Sequence, residues 1–215
     1  MKRIIKDSIK RSFVLYGAYL FCSDRLLTRT WKRNGCPLPP PPLVKQRYVL
    51  QYQRRYNLGI LVETGTYHGE MVRAARRAFH KIYSIELSPE LHRRARETFA
   101  SLPHIHLLQG DSARVLGQVL VRIDQPCLFW LDAHYSGTGT SLGDRETPIL
   151  AELAEIMNHP SRWHVILIDD ARLCDGTRGY PTLDNLSAFV KAHRPEWCIT
   201  IANDIIRITP GVPIE

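Results

Sequence analysis

The feature that most limits the fold is the regular alternation of short apolar segments with longer helix-like segments from residue 59 onward. Because each strand-like segment is followed by a possible crossover helix, this pattern predicts a parallel sheet with helices on both faces. The predicted strands are residues 59–63, 81–86, 104–108, 127–132 and 163–169. The predicted helices are residues 68–79, 88–100, 111–121, 146–158 and 181–193.

The end of the chain departs from this alternation. Residues 197–202 and 204–209 are both strand-like, and only a short turn at Asn203 and Asp204 separates them. Such a turn leaves no room for a crossover helix, so the two strands must pair antiparallel as a hairpin. The predicted fold class is therefore α/β, with a doubly wound, mostly parallel seven-stranded sheet and a C-terminal antiparallel hairpin.

The N-terminal part of the chain differs in charge from the rest. Residues 1–59 hold 13 of the 29 Lys and Arg residues but only 2 of the 21 Asp and Glu residues. Four consecutive prolines at residues 39–42 favour a stiff polyproline-II spacer, and a helix is predicted directly after it, over residues 44–56. The sequence thus predicts a basic, helical N-terminal extension with its Pro-rich linker at residues 1–43, followed by one domain at residues 44–215.

Within the extension, residues 1–35 combine basic residues with an apolar run that is shorter than the ~20 residues needed to span a bilayer. They are predicted to form a basic amphipathic helix that packs on the domain. Peripheral contact with an anionic membrane and simple solvation are the alternatives. Because the basic charge lies outside the domain, nucleic acid is not expected as a partner. The sequence leaves the oligomeric state open.

The number and spacing of the cysteines indicate the redox state of the cellular compartment. Their number is five, and no pair has C-x-x-C spacing. This pattern does not favour a disulfide framework or a zinc site, and a reducing, cytoplasmic location is expected.

A glycine-bearing turn follows the first predicted strand, with the spacing Glu63-x-Gly65-x-x-x-Gly69. Glycine has no Cβ, so a ligand can approach the backbone closely there. The carboxylate of Glu63 would repel a phosphate and attract a cation. We therefore predict a site for S-adenosylmethionine (SAM), whose sulfonium and α-amino groups are both positive, with Thr66 as a further contact. An ordinary strand-to-helix turn is the alternative.

Two more carboxylates follow the second and third predicted strands. Glu86 ends the second strand, where its two oxygens can accept the hydroxyls of a ribose. Asp111 follows the third strand, where it can accept the exocyclic amine of adenine, with Ser112 as an added contact. Asp111 is equally suited to cap the helix that follows, and the two roles are compatible.

Asp132 ends the fourth predicted strand, and Asp169 and Asp170 end the fifth. These carboxylates should meet at one edge of the sheet, which is costly unless a cation, a proton or an arginine compensates them. Oxygen ligands suit Mg²⁺, which could bind an acceptor hydroxyl and lower its pKa. The three aspartates are therefore predicted as metal ligands.

The same region offers other readings. Asp132, which is also predicted to contact the cofactor, or His134 could take the acceptor proton as general base instead of a metal. Alternatively, Asp170 pairs with Arg172 or Arg178, and Asp132 only caps a turn.

Taken together, these motifs resemble those of the class I SAM-dependent methyltransferases. The resemblance covers about residues 45–210 and implies a Rossmann-like methyltransferase fold. The aspartate pair after the fifth strand is similar to that of metal-dependent O-methyltransferases, nearest to the macrocin-type enzymes that methylate sugar hydroxyls. This similarity implies that Asp132, Asp169 and Asp170 hold Mg²⁺ close to the sulfonium. The segments that carry the resemblance are residues 63–69, 85–86, 109–112, 130–135 and 168–172.

The predicted function is that of an enzyme, a SAM-dependent O-methyltransferase. It is expected to be Mg-assisted and to act on a hydroxyl of a sugar, a glycan or another small molecule. The alternatives are methylation of RNA or protein, and a non-catalytic cofactor-binding scaffold docked by its basic N-terminus.

Overall fold

The computed structural model describes residues 25–132 and 147–211 of the 215-residue chain. The described helices and strands are α1 (Pro42–Arg55), β1 (Ile60–Thr64), α2 (Glu70–Ala75), β2 (Lys81–Glu86), α3 (Pro89–Phe99), β3 (Ile105–Gln109), α4 (Ser112–Leu120), β4 (Leu128–Leu131), α5 (Ile149–Asn158), β5 (Val165–Ile168), α6 (Leu183–His193), β6 (Cys198–Ala202) and β7 (Ile205–Thr209). A 3₁₀ turn, Ala171–Leu173, follows β5.

The sheet has seven strands in the order β3-β2-β1-β4-β5-β7-β6. β1 to β5 pair parallel, whereas β7 pairs antiparallel with both β5 and β6. The hairpin turns on Asn203 and Asp204, which both have positive φ (51° and 63°), as the tightest hairpin turns require. The predicted fold class, including the C-terminal hairpin, is confirmed.

The core forms two layers, one on each face of the sheet. Consecutive residues of the central strand β4 point to opposite layers, with Phe129 in one and Trp130 in the other. The first layer is closed by α4, α5 and α6, and the second by α1, α2 and α3. Burial on both faces explains why β4 and β5 are continuous apolar runs rather than alternating ones.

The Pro-rich segment differs in one respect from the prediction. Pro41 has φ −60° and ψ 151°, close to polyproline II, but Pro42 is the first residue of α1. The first turn of a helix does not use its backbone N–H groups internally, so proline fits there. The predicted helix over residues 44–56 therefore begins two residues earlier and runs Pro42–Arg55.

The N-terminal extension is described from residue 25. Residues 25–33 are helical, and the indole of Trp31 donates a hydrogen bond to the carbonyl of Pro37 at 2.6 Å. Residues 1–24, which carry most of the predicted amphipathic helix, lie outside the described residues. Within residues 25–132 and 147–211, no helix is both long enough and apolar enough to cross a membrane.

Helix α2 is shorter than predicted, covering Glu70–Ala75 rather than residues 68–79. After Ala75 the chain continues as a turn, in which the N–H of Ala78 donates to the carbonyl of Ala75 at 2.8 Å. The turn brings Phe79 into the core, where it is 3% exposed. Phe79 is therefore buried as its spacing from Ala75 predicts, although the regular helix has already ended.

The strand order reverses beside β1, whose neighbours are β2 on one side and β4 on the other. In open α/β sheets, ligands bind outside the carboxyl ends of the strands at such a point. The residues at and just after the carboxyl ends of β1, β2, β3, β4 and β5 are therefore placed to form a site.

Two isoleucines of the sheet give a test of the core. Ile166 of β5 is fully buried, whereas Ile201 of the edge strand β6 is 48% exposed. We expect Ile166→Ala to lower the free energy of unfolding by about 2–5 kcal/mol, because it leaves a cavity. The matched variant Ile201→Ala should lower it by less than about 1 kcal/mol. Denaturant unfolding followed by circular dichroism measures both, and equal losses would contradict this position of the core.

Candidate functional site

The glycine-bearing turn connects β1 to α2. Gly65 and Gly69 both have left-handed backbone, with φ of 87° and 70°. A Cβ on Gly69 would lie 2.7 Å from the ring of Phe99 on α3, so packing as well as φ requires glycine there. The N–H of Gly65 donates to the carbonyl of Ile85 at 2.9 Å, which joins the turn to the end of β2.

Glu63, in β1, lies just before this turn and is 2% exposed. Its carboxylate accepts a hydrogen bond from the hydroxyl of Ser84, which is itself 2.5 Å from the hydroxyl of Thr66. Burial raises the pKa of Glu63 to about 8, although the Ser84 hydrogen bond opposes the rise. In the ligand-free protein this raised pKa favours the protonated form of Glu63 at neutral pH, whereas the sequence interpretation took the side chain as a carboxylate.

Glu86 ends β2 beside the same turn, and both its oxygens are held by backbone N–H groups. Tyr67 donates to one oxygen at 2.7 Å, and Ser88 donates to the other at 2.9 Å. A carboxylate oxygen has two lone pairs, so each oxygen can still accept a ligand hydroxyl. The side chain is thus fixed in one orientation with capacity for a diol.

Asp111 follows β3 and is the N-cap residue of α4. Its side chain accepts a hydrogen bond from the N–H of Ala113 at 3.0 Å, which confirms the predicted helix-capping role. The N–H of Gly110 donates to the carbonyl of Glu86 at 2.9 Å, so the ends of β2 and β3 lie side by side. Ser112, the first residue of α4, is buried. The structure therefore brings Glu63, Glu86 and Asp111 to the ends of three adjacent strands.

Asp132, Asp169 and Asp170 form what we call the acidic edge, at the carboxyl ends of β4 and β5. The N–H of Asp132 donates to the carbonyl of Thr64, and that of Asp169 donates to the carbonyl of Leu131, each at 3.0 Å. Asp169 and Asp170 are 3% and 6% exposed. The predicted meeting of these carboxylates at one edge is confirmed.

A lysine that the sequence interpretation did not single out reaches the acidic edge. The Nζ atom of Lys45 on α1 lies 2.5 Å from Asp169 Oδ2 and 3.2 Å from Asp170 Oδ1. Burial disfavours the charged form of Lys45, but the two carboxylates outweigh it and raise its pKa. Burial also raises the pKa of Asp169 to about 6, against the opposing effect of Lys45.

Arg172, in the 3₁₀ turn after β5, is a second cation at this edge. Its Nη1 atom donates to Asp170 Oδ1 at 2.8 Å and also pairs with the carboxylate of Asp204. Asp204, in the hairpin turn, accepts the backbone N–H of Arg172 at 2.8 Å. The alternative reading in which Asp170 pairs with Arg172 is confirmed.

The arrangement of the predicted metal ligands can be compared with that of a metal site. Among residues 25–132 and 147–211, no three His, Cys, Asp or Glu side chains are arranged to hold a metal ion. Lys45 and Arg172 already pair with Asp169 and Asp170, so a divalent ion does not fit the acidic edge unless it displaces these cations. Magnesium binding stays a prediction. His134, the predicted alternative base, lies outside the described residues.

Three contacts of the site were not foreseen from the sequence, and they involve Lys45, Ser84 and Asp204. Asp204 was interpreted only as a turn residue, and Ser84 only as part of a strand. A signal for Lys45 existed, since buried carboxylates at one edge require a cation and Lys45 is the only lysine in α1.

The fold is shared with solved methyltransferase structures. A methyltransferase of Podospora anserina with bound SAH matches 86% of this chain and 87% of its own, with 16% identity and a TM-score of 0.56. An O-methyltransferase of Bacillus cereus in complex with SAH matches 86% and 89%, with 14% identity and a TM-score of 0.57. An O-methyltransferase of Streptomyces achromogenes involved in tomaymycin synthesis, in complex with SAM, matches 86% and 87%, with 13% identity and a TM-score of 0.55.

This likeness establishes the fold, which is that of the Rossmann-like methyltransferases. No protein-family model matches the sequence. No curated protein matches it either.

The buried state of Glu63 leads to a prediction about pH. Between its usual pKa of 4.5 and about 8, the folded protein holds a proton that the unfolded chain has released. Stability must therefore fall as the pH rises through this window. Glu63→Gln keeps a neutral side chain at every pH, so without SAM its stability relative to wild type should rise across the window, by a few kcal/mol at most.

Urea unfolding at several pH values between about 5 and 8 measures this difference. Glu196→Gln, at an exposed glutamate, is the control and should show no such trend. A pH-independent difference between wild type and Glu63→Gln would show that Glu63 is ionised in the folded state.

Proposed function

We propose that the protein is a SAM-dependent O-methyltransferase. The observation that carries this proposal is the placement of Glu63, Glu86 and Asp111 at three adjacent strand ends around a glycine turn, at the point where the strand order reverses. The fold supports it, because solved structures of the same fold were determined with SAM or SAH.

Each carboxylate has a role in this proposal. Glu86, held by two backbone N–H groups, accepts the ribose hydroxyls of the cofactor. Asp111 accepts the adenine amine with the carboxylate lone pairs that its helix-capping hydrogen bond does not use. Glu63, with Thr66 beside it, faces the positively charged methionine end. Since a nearby cation favours the ionised form of a carboxyl, cofactor binding would draw the proton from Glu63.

The reaction is a direct displacement. A lone pair of the acceptor oxygen forms the new O–CH₃ bond while the C–S bond breaks, and its electron pair stays on sulfur to give SAH. The hydroxyl proton passes to a base, for which Asp132 at the end of β4 and the predicted His134 are the candidates. Holding the acceptor oxygen in line with the methyl carbon supplies much of the rate.

The acceptor proposed is a neutral hydroxylated molecule, such as a sugar, a glycan or another small molecule. The support for this class is charge. The acidic edge sets three carboxylates beside the two cations Lys45 and Arg172, so it has no excess positive charge for a phosphate group, whereas a neutral hydroxyl can donate its hydrogen bond to a carboxylate there. The cytoplasmic location expected from the cysteines suits such an acceptor.

Cofactor binding is the first test. Isothermal titration calorimetry of the full chain should detect both SAM and SAH. Glu86→Gln should weaken both by about tenfold or more, because an amide has one acceptor oxygen where the carboxylate has two. Glu97→Gln, at a side chain 65% exposed on α3, is the control and should bind as wild type does. Failure of wild type to bind either ligand would refute the proposal.

A second candidate, RNA methylation, rests on the charge of the N-terminal helix. Arg25, Arg29, Lys32 and Arg33 are all exposed on residues 25–33. Transfer of labelled methyl from SAM to RNA, compared with transfer to a panel of sugars and glycans, separates the candidates. We expect transfer to the hydroxylated panel and no salt-dependent retention on RNA. A protein that binds SAM but methylates neither would be the cofactor-binding scaffold.

A further inference from the structure

The cation at the acidic edge comes from the chain itself. Lys45 Nζ lies 2.5 Å from one oxygen of Asp169 and 3.2 Å from one oxygen of Asp170. The lysine side chain is 18% exposed, and the two carboxylates are 2% and 8% exposed. The ammonium group is thus enclosed by two of the three side chains that the sequence predicted as metal ligands.

Helix α1, which carries Lys45, is held against the sheet by several contacts. Tyr48 and Val49 follow Lys45 by three and four residues, so they share its face of α1. Val49 is fully buried in the core, and the hydroxyl of Tyr48 accepts a hydrogen bond from the Asn203 side chain. The guanidinium of Arg207 lies 4.3 Å from the centre of the Tyr48 ring. These contacts hold Lys45 at the acidic edge.

Asp170 has a second cationic partner at this edge. Arg172 donates to Asp170 and is itself paired with Asp204, which is 3% exposed. A Mg²⁺ ion would need carboxylate oxygens at about 2.0–2.1 Å. It would have to take them from the ammonium and remain a few ångströms from it, where like charges repel strongly in a partly buried site.

We infer that the Lys45 ammonium is a built-in cation that takes the place of a divalent metal at the acidic edge, so that methyl transfer here is metal-independent. This inference rests on the proposed function for its catalytic part, whereas its binding part does not. Lys45 is on this view a positioning residue, because it holds Asp169 and Asp170 in place.

Metal binding tests the inference without any turnover. Mn²⁺, which suits the same oxygen ligands and is visible by electron paramagnetic resonance, is titrated into the full chain. Wild type should show no site tighter than about millimolar. Lys45→Gln should bind Mn²⁺ at least about tenfold more tightly, because removal of a positive charge leaves two carboxylates for the ion.

Two variants serve as controls. Lys45→Arg keeps the charge and should bind Mn²⁺ as weakly as wild type does. Arg47→Gln removes a charge from an exposed position of the same helix and should also change nothing. Tight Mn²⁺ binding by wild type, or no gain in a folded Lys45→Gln variant, would overturn the inference.

Turnover gives a second readout, on any acceptor found for the wild-type enzyme. Methyl transfer should be unchanged in excess EDTA and unchanged by added Mg²⁺. Loss of wild-type activity in EDTA with recovery on Mg²⁺ addition would overturn the inference, even if Lys45→Gln fails to fold. Absence of SAM binding, in contrast, would refute the proposed function and leave the Mn²⁺ result standing on its own.

Discussion

The site depends on how buried negative charge is balanced where β4 and β5 end. Parallel pairing places Asp132, Asp169 and Asp170 at one edge of the sheet, and a buried carboxylate without a partner costs several kcal/mol. Lys45 supplies one cation from α1, and Arg172 supplies another from the turn after β5. These ion pairs tie the first described helix of the domain and the last hairpin to the same point of the sheet.

The other half of the site has the opposite arrangement. Glu63 is buried, and within residues 25–132 and 147–211 it forms no ion pair with a cation. Its pKa is raised to about 8 because desolvation outweighs its hydrogen bond from Ser84. At the acidic edge the compensating cation is built into the chain, whereas at Glu63 it would arrive with the ligand. Protonation of Glu63 avoids a buried charge in the ligand-free protein, and under the proposed function the cationic end of SAM would favour its ionised form. These two arrangements explain how the protein folds with many acidic residues in one cleft.

Much of this arrangement followed from sequence pattern. The end of β2 at Glu86, and the ends of β1 and β4 within one residue of Glu63 and Asp132, could be predicted because apolar runs that stop at a carboxylate mark where a buried strand leaves the sheet. The hairpin could be predicted because two residues cannot form a crossover. The length of α2 could not, because the apolar spacing continues to Phe79 although the backbone changes to a turn after Ala75. The start of α1 at Pro42 was missed, because a proline run was taken as a spacer throughout.

The sequence by itself determined the succession of strands and helices along the chain, the antiparallel end of the sheet and the set of carboxylates that meet at its edge. These are local properties, set by side-chain periodicity and turn length. Only the tertiary structure decided which charges pair. Lys45 and Asp169 are 124 residues apart, and Arg172 and Asp204 are 32 apart. Such contacts depend on how α1 and the hairpin pack against the sheet, and that packing is a property of the whole core rather than of any segment.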